Sequence, residues 1–265
     1  MRIHALQTGQ VALKDAFLNP RAGRRRRLDL LLPGRWAGHF PIHAWLIEHD
    51  RQRILVDTGE TAGVRDAPWA RHQVTPEDEL PHALDAIGMT PGDVTTAVVT
   101  HLHPDHYDGA VHLTVPVLVG EAEWAEARSP RGRLLQKLTG APLPPAVDFR
   151  PVALDQGPFG AFAASRRLTD DGRVAMISTP GHTRGHLSIV AVDDNDRHVL
   201  LAGDATDTLE QLHARRPDAI APDPDVQRQT IDRILTHASE HPTVYLPTHD
   251  PESVARLSAR TALAM

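Results

Sequence analysis

Cysteine is absent from all 265 residues. That excludes disulfides, thiolate metal sites and cysteine nucleophiles together, so any transition metal held here must sit on histidine and carboxylate side chains. Aromatic residues are few, with 5 Phe, 4 Trp and 2 Tyr. No window approaches the run of about 18 apolar residues that a membrane span needs, so no membrane partner is expected. The segment from Met1 to Gln10 lacks the basic start and long apolar stretch of a secretory signal and reads as an ordinary strand, which makes a cytoplasmic location the expectation. An excess of basic residues is missing too. A net charge of -6 argues against nucleic acid as a partner, because phosphate neutralisation needs a basic face. The one basic run, Arg24 to Arg27 ahead of Leu28 to Leu32, reads as a solvated loop face or as an arm reaching a second copy of the chain in a homodimer.

What is present is enough apolar residue, 41%, to bury one large core, so residues 1–265 are read as a single domain. The 22 Pro and 18 Gly fall between apolar runs and do not gather in one linker. Short apolar runs at Ile3 to Leu6, Ala44 to Glu48, Ile54 to Val56 and Ala97 to Val99 predict strands. So do Val115 to Val119, Ala163 to Ala164, Val174 to Ile177, Leu187 to Val192, Val199 to Leu201 and Val244 to Leu246. Helices are expected over Pro76 to Gly88, Glu121 to Arg128, Asp225 to His237 and Pro251 to Leu263. Two halves, each with strands first and helices later, predict an α+β fold in which two packed sheets lie between outer helices, an αββα four-layer sandwich.

Histidine is abundant, 17 residues, and its spacing is informative. The strand at Ala97 to Val99 delivers His101-x-His103-x-Asp105-His106. Alternate residues of an extended chain point the same way, so His101 and His103 can grip one cation while Asp105 and His106 face a second position. A later strand ends in Thr179-Pro-Gly-His182, with His182 as the expected third ligand. Another ends in Gly203-Asp204, whose carboxylate can bridge two cations, and another in Thr248-His249-Asp250.

These segments resemble the metallo-β-lactamase superfamily, and the resemblance runs from the Asp57-Thr58-Gly59 turn to His249. It implies an αββα sandwich with two divalent ions in a cleft at one edge. His101, His103 and His182 would hold one ion, Asp105, His106 and His249 the second, and Asp204 would bridge them. Zinc suits the donor set, with Mn, Fe or Co as alternatives. Two cations about 3.5 to 4 Å apart acidify a shared water to a hydroxide that attacks a carbonyl or phosphoryl centre. Asp105 and Asp204 are therefore the carboxylates assigned to catalysis.

Within the superfamily the chain is most similar to the N-acyl homoserine lactonases, through Ile54 to Gly59, Thr179 to His186 and Thr248 to Asp250. The implied reaction is the opening of a lactone, or more broadly the hydrolysis of a small-molecule ester or lactone. A phosphotriesterase or β-lactamase of the same fold, an iron-dependent dioxygenase and a non-catalytic binding member are the alternatives. Where lactonases commonly place a Tyr after the bridging Asp, this chain has Asp207, and Asp108 stands where a Gly is usual. Asp57 is expected either to support a ligand His from behind or to start a turn. His186 is expected either to support the site or to satisfy itself in the core. Tyr107, Asp207, His213, Trp36 and Trp69 are candidates for the substrate wall.

Overall fold

The computed structural model describes residues 1–23 and 25–264, so Arg24 of the basic run lies outside the described residues. The first half runs β1 (Arg2–Lys14), α1 (Asp15–Leu18), α2 (Arg25–Leu31), β2 (Trp36–His49), β3 (Gln52–Val56), β4 (Ala70–Gln73), α3 (Leu80–Asp85) and β5 (Thr96–Val99). It continues through α4 (Pro104–Tyr107), β6 (Val117–Gly120), α5 (Glu121–Arg128), α6 (Pro130–Thr139) and β7 (Phe149–Val152). The second half is β8 (Ser165–Arg167), β9 (Val174–Ser178), β10 (Leu187–Val192), β11 (His198–Gly203), α7 (Leu209–His213), α8 (Pro224–Glu240), β12 (Thr243–Pro247) and α9 (Ser253–Ala259).

The strands form a seven-stranded sheet in the order β4-β1-β2-β3-β5-β6-β7 and a five-stranded sheet in the order β12-β11-β10-β9-β8. Side chains alternate across each strand, and the alternation decides the layers. Trp45, Ile47, Ile54, Val56 and Val98 point inward and meet Val174, Met176, Leu187, Ile189, Val199, Leu201, Val244 and Leu246 of the other sheet. The intervening residues Leu46, Leu55, Ala97 and Val99 point outward and are covered by Leu80 and Leu84 of α3. On the far side, Ile177, Val190, Leu200 and Tyr245 are covered by Ile231 and Ile234 of α8 and Leu212 of α7. Both faces of these strands are buried, which is why they read as nearly continuous apolar runs. The layering is the expected αββα sandwich.

Several boundaries differ from those expected of the sequence. The first strand extends to Lys14 by bending at Gly9 (φ 107), where the register against β2 shifts. The expected helix over Pro76 to Gly88 divides into a short 3-10 turn, Pro76–Asp78, and α3, because Pro81 starts a new helix in its first turn. The strand expected at Ala163 to Ala164 lies one step later, as β8, and the terminal helix stops at Ala259 because Arg260 is left-handed (φ 52). Among the described residues no helix is long and apolar enough to cross a membrane.

The topology brings the functional ends together. β3 and β5 run parallel, as do β11 and β12, so their carboxyl ends open at one edge of the sandwich. Chain leaving these strands supplies Asp57, His101, Asp204 and His249.

Candidate metal centre

Two groups of donors converge at this edge. His101, His103, His182 and Asp204 form one, and Asp105, His106 and His249 the other; within each, one donor atom per residue lies within 4.8 Å of the rest. In the first group, Nδ1 of His103 is 2.8 Å from Nε2 of His101 and 2.9 Å from Nε2 of His182. In the second, Nε2 of His249 is 3.4 Å from Asp105 Oδ2, and Nε2 of His106 is 3.9 Å from Asp105 Oδ1. Asp204 faces both: its Oδ2 lies 3.4 Å from Nε2 of His182, 3.4 Å from that of His106 and 3.5 Å from that of His249.

The residues fit divalent metal. Ring nitrogens brought this close need a proton or a cation between them. Nε2 of His106 and Oδ1 of Asp204 are buried without a hydrogen-bond partner among the described residues. A nitrogen and oxygen donor set free of thiol suits zinc and its first-row neighbours.

Three of the rings are held by their other nitrogen. Nδ1 of His106 donates to Asp57 Oδ2 (2.9 Å), and Asp57 accepts further from the Thr100 backbone N–H (2.7 Å) and hydroxyl (2.9 Å). Nδ1 of His182 donates to Asp218 Oδ2 (2.8 Å), and Nδ1 of His249 to the Pro41 carbonyl (2.9 Å). These bonds fix the tautomers and aim the three Nε2 atoms inward. His186 is buried next to Asp204: its Nε2 accepts from the Asp204 backbone N–H (3.0 Å) while its Nδ1 meets the Thr179 carbonyl (3.0 Å). Gly203 must remain small and left-handed here (φ 55), because a Cβ would come within 2.8 Å of the His186 ring and the Thr100 side chain.

The charges divide sharply. Burial, reinforced by neighbouring histidines, drives His101 well below the usual range and His103 down to about 3, so both are neutral donors. Burial opposes protonation of His182, but Asp218 more than offsets it and pushes the ring up to about 9. His106 and His249 are raised in the same way against burial, chiefly by Asp204. Asp204 is held well below the carboxylate range by His106 and His249 even though burial acts the other way.

Two supporting carboxylates carry no signal in the sequence. Asp218 comes from the loop before α8 and accepts from the backbone of Ile220 (2.8 Å) and Ala221 (2.7 Å) and from Gln227 Nε2 (2.8 Å). Glu123, on the buried face of α5, accepts from the Leu102 backbone (3.0 Å), the Thr183 hydroxyl (2.7 Å) and the Gly185 backbone (3.1 Å). It thereby ties the His101 to His103 loop to the loop after His182. Neither residue has a local spacing that marks it.

The expected substrate-wall residues separate. Tyr107 is buried in the outer core, edge-on to Phe149, with its hydroxyl donating to the Ala141 carbonyl (3.3 Å). His213 is exposed at the last turn of α7. Trp36 carries the Arg71 guanidinium 4.4 Å above its ring. Trp69, like Phe40 and Ile220, packs against a separate apolar cluster built on Val11, Leu13, Phe17 and Ile42. Asp207 is buried beside the donors, where burial and then the Asp204 and Asp218 carboxylates push it up to about 7. Glu60, also buried, is raised to about 10 by burial and then by Asp108. The described part of the basic run folds back on its own chain, Arg26 donating to the Asp218 (3.3 Å) and Ala221 (2.8 Å) carbonyls.

Fold and donor set together define a metal-dependent hydrolase. The chain belongs to the metallo-beta-lactamase superfamily, whose pattern matches residues 37–249. It is similar to the N-acyl homoserine lactonase of a Bacillus sp, with 26% identity over 95% of this chain and 94% of that one. It is equally similar to N-acyl homoserine lactonase AttM of Agrobacterium fabrum, with 26% identity over 96% of this chain and 95% of that one. A solved N-acyl homoserine lactone hydrolase, carrying the product N-hexanoyl-L-homoserine at its catalytic metal centre, shares the fold with a TM-score of 0.75. Its identity is 23%, over 96% of this chain and 94% of that one.

Proposed function

We propose that this chain hydrolyses small-molecule lactones, opening the ring to a hydroxy acid, at two divalent ions that the donor set favours as zinc. The observation that carries this reading is the position of Asp204 Oδ2, 3.4 to 3.5 Å from the inward nitrogens of His106, His182 and His249 and so facing both donor groups. The lactonase names of its relatives supply the substrate class.

In this reading His101, His103 and His182 would hold one ion and Asp105, His106 and His249 the other, with Asp204 facing both groups. Bound there, the ions supply Lewis acidity toward a carbonyl oxygen and a water acidified to near neutrality. The protein's own contribution is orientation. Asp57, Asp218 and the Pro41 carbonyl each hold an Nδ1–H, so the ring lone pairs are aimed before anything binds. Thr100 and His186 fix Asp57 and the Asp204 backbone in turn. Of the two carboxylates within the donor groups, Asp105 has the more accessible side chain, 14% exposed against 5% for Asp204. Held ionised by His106 and His249 against burial, its carboxylate is thus the one more open to a substrate. His101, buried, and His103, half-buried, are both lowered from the usual histidine range and compete poorly for a proton.

The test is hydrolysis by metal-loaded protein of a panel containing an N-acyl homoserine lactone, γ- and δ-lactones, an aryl phosphotriester and a β-lactam. Lactone opening is expected. Turnover of only the phosphotriester or the β-lactam would move the substrate class, and turnover of none would overturn the reading.

A further inference from the structure

Outside the metal centre, a cavity of about 410 Å³ opens between the segment from Pro20 to Arg26, the end of α7 and the start of α8. Its wall holds five arginines, Arg21, Arg26, Arg215, Arg216 and Arg228, and no aspartate or glutamate. Pro20, Pro217 and Pro224 supply apolar wall between them. No residue of either donor group lines it. In a chain of net charge -6, a wall of one positive sign is a local feature that the reaction at the donors does not use.

The arginines are within reach of a ligand and only partly occupied. The side chains of Arg21, Arg215 and Arg228 are 59%, 64% and 50% exposed. Arg21 grips Asp29 through Nε and Nη2, 2.6 Å each. Arg215 Nε lies 3.2 Å from Asp232, Arg216 Nη2 3.3 Å from Glu210, and Arg228 pairs with Asp225. In these last three pairs the carboxylate takes one nitrogen of the guanidinium, so N–H groups are left for a second acceptor. Arg26 meets no carboxylate among the described residues: its Nη1 donates to the Asp218 (3.3 Å) and Ala221 (2.8 Å) carbonyls. Five guanidinium groups thus stand against four carboxylates, and all four carboxylates lie outside the wall.

Arginine presents its N–H groups as a planar fork that matches the oxygens of a phosphate in pairs. The volume falls within the range of small-molecule sites, about 300 to 1,000 Å³, so there is room for an organic body against the prolines as well as the phosphate. We propose that this cavity binds a phosphate-bearing organic anion of small-molecule size, at a site separate from the metal centre. Residues 214–217 and 224–228 of its wall flank the loop that carries Asp218, and Arg26 reaches the carbonyls of that loop. A ligand there joins both stems of the loop to the segment after α1. The inference does not depend on the lactone reading.

The test is calorimetric titration of metal-loaded wild type, Arg215→Gln and Arg228→Gln with adenosine, AMP and ADP, in phosphate-free buffer of low ionic strength. The three probes share one organic body and differ in phosphate charge. Wild type is expected to bind ADP tighter than adenosine by about tenfold or more, with the advantage shrinking as salt is added. A loss of about tenfold in ADP affinity in either variant supports the proposal. Both substituted side chains are half or more exposed, so the fold is not at stake in the comparison. Equal affinity for the three probes, no binding of ADP at millimolar concentration, or an ADP affinity unchanged in both variants would overturn the proposal. Binding that survives in both variants but is lost in Asp204→Asn would place the phosphates at the metal centre and overturn it as well.

Discussion

Nδ1 of His182 lies 2.8 Å from Oδ2 of Asp218, a bond between residues 36 apart in sequence and both buried. The ring is thereby locked with Nε2 toward His103 and Asp204. Replacing Asp218 by Asn removes the charge and weakens the grip on the tautomer. Metal affinity of the site holding His182 should fall by about 10- to 100-fold, read by competition with a chromophoric chelator. Unchanged affinity would mean that Asp218 only shapes its loop.

Glu123 presents a different balance, because three donors from two loops end on one buried carboxylate. Glu123→Ala strands those donors, and each unsatisfied group costs about 1–3 kcal/mol. The variant should unfold at clearly lower urea than wild type when both are metal-free, while Glu123→Gln, which keeps an acceptor oxygen, should lose less. Equal midpoints for alanine and wild type would show that water replaces the carboxylate.

Away from the donors, His198 and His237 share a 2.8 Å contact between Nδ1 and Nε2, and His241 stacks on His198 with ring centroids 4.4 Å apart. Burial, then the neighbouring rings, lowers His237 to about 4 and lowers His198 also. The folded state thus binds fewer protons here than the unfolded chain. The stability contribution is fully present above the ordinary pKa of about 6.5 and is lost as pH falls from there toward 4. Substituting His237→Phe beside Phe159 and Phe162 should make thermal stability less sensitive to acid, seen as a wild-type minus variant difference in Tm that shrinks or reverses below pH 6. A difference constant with pH would remove this cluster from the acid response.

Much of this architecture is legible in the order of residues alone, for a physical reason. Strands buried on both faces leave continuous apolar runs, and the site hangs on the residues that end them, as Val99 precedes the His101 segment and Gly203 precedes Asp204. Local spacing therefore carries both fold and donors. The supporting carboxylates are not legible because their partners come from distant segments. Asp218 answers to His182, and Glu123 answers to Leu102 and Gly185 from within a helix whose pattern looks solvated. Tyr107 shows the converse limit. Its place beside His106 suggests the pocket, yet Phe149 claims its ring for the core.

Asp204 is the residue that faces histidines of both donor groups. Asp204→Asn keeps the shape but removes the charge that His106, His182 and His249 face. Bound metal should drop below two equivalents per chain and lactone opening should fall by about 100-fold or more, measured on dialysed protein. Full metal content with full activity would remove the bridging assignment.

The most direct measurement is a titration of metal-free protein with zinc while following lactone opening. Activity should rise with added zinc and saturate only at two equivalents per chain. Saturation at one equivalent, or activity independent of added metal, would contradict the two-ion site.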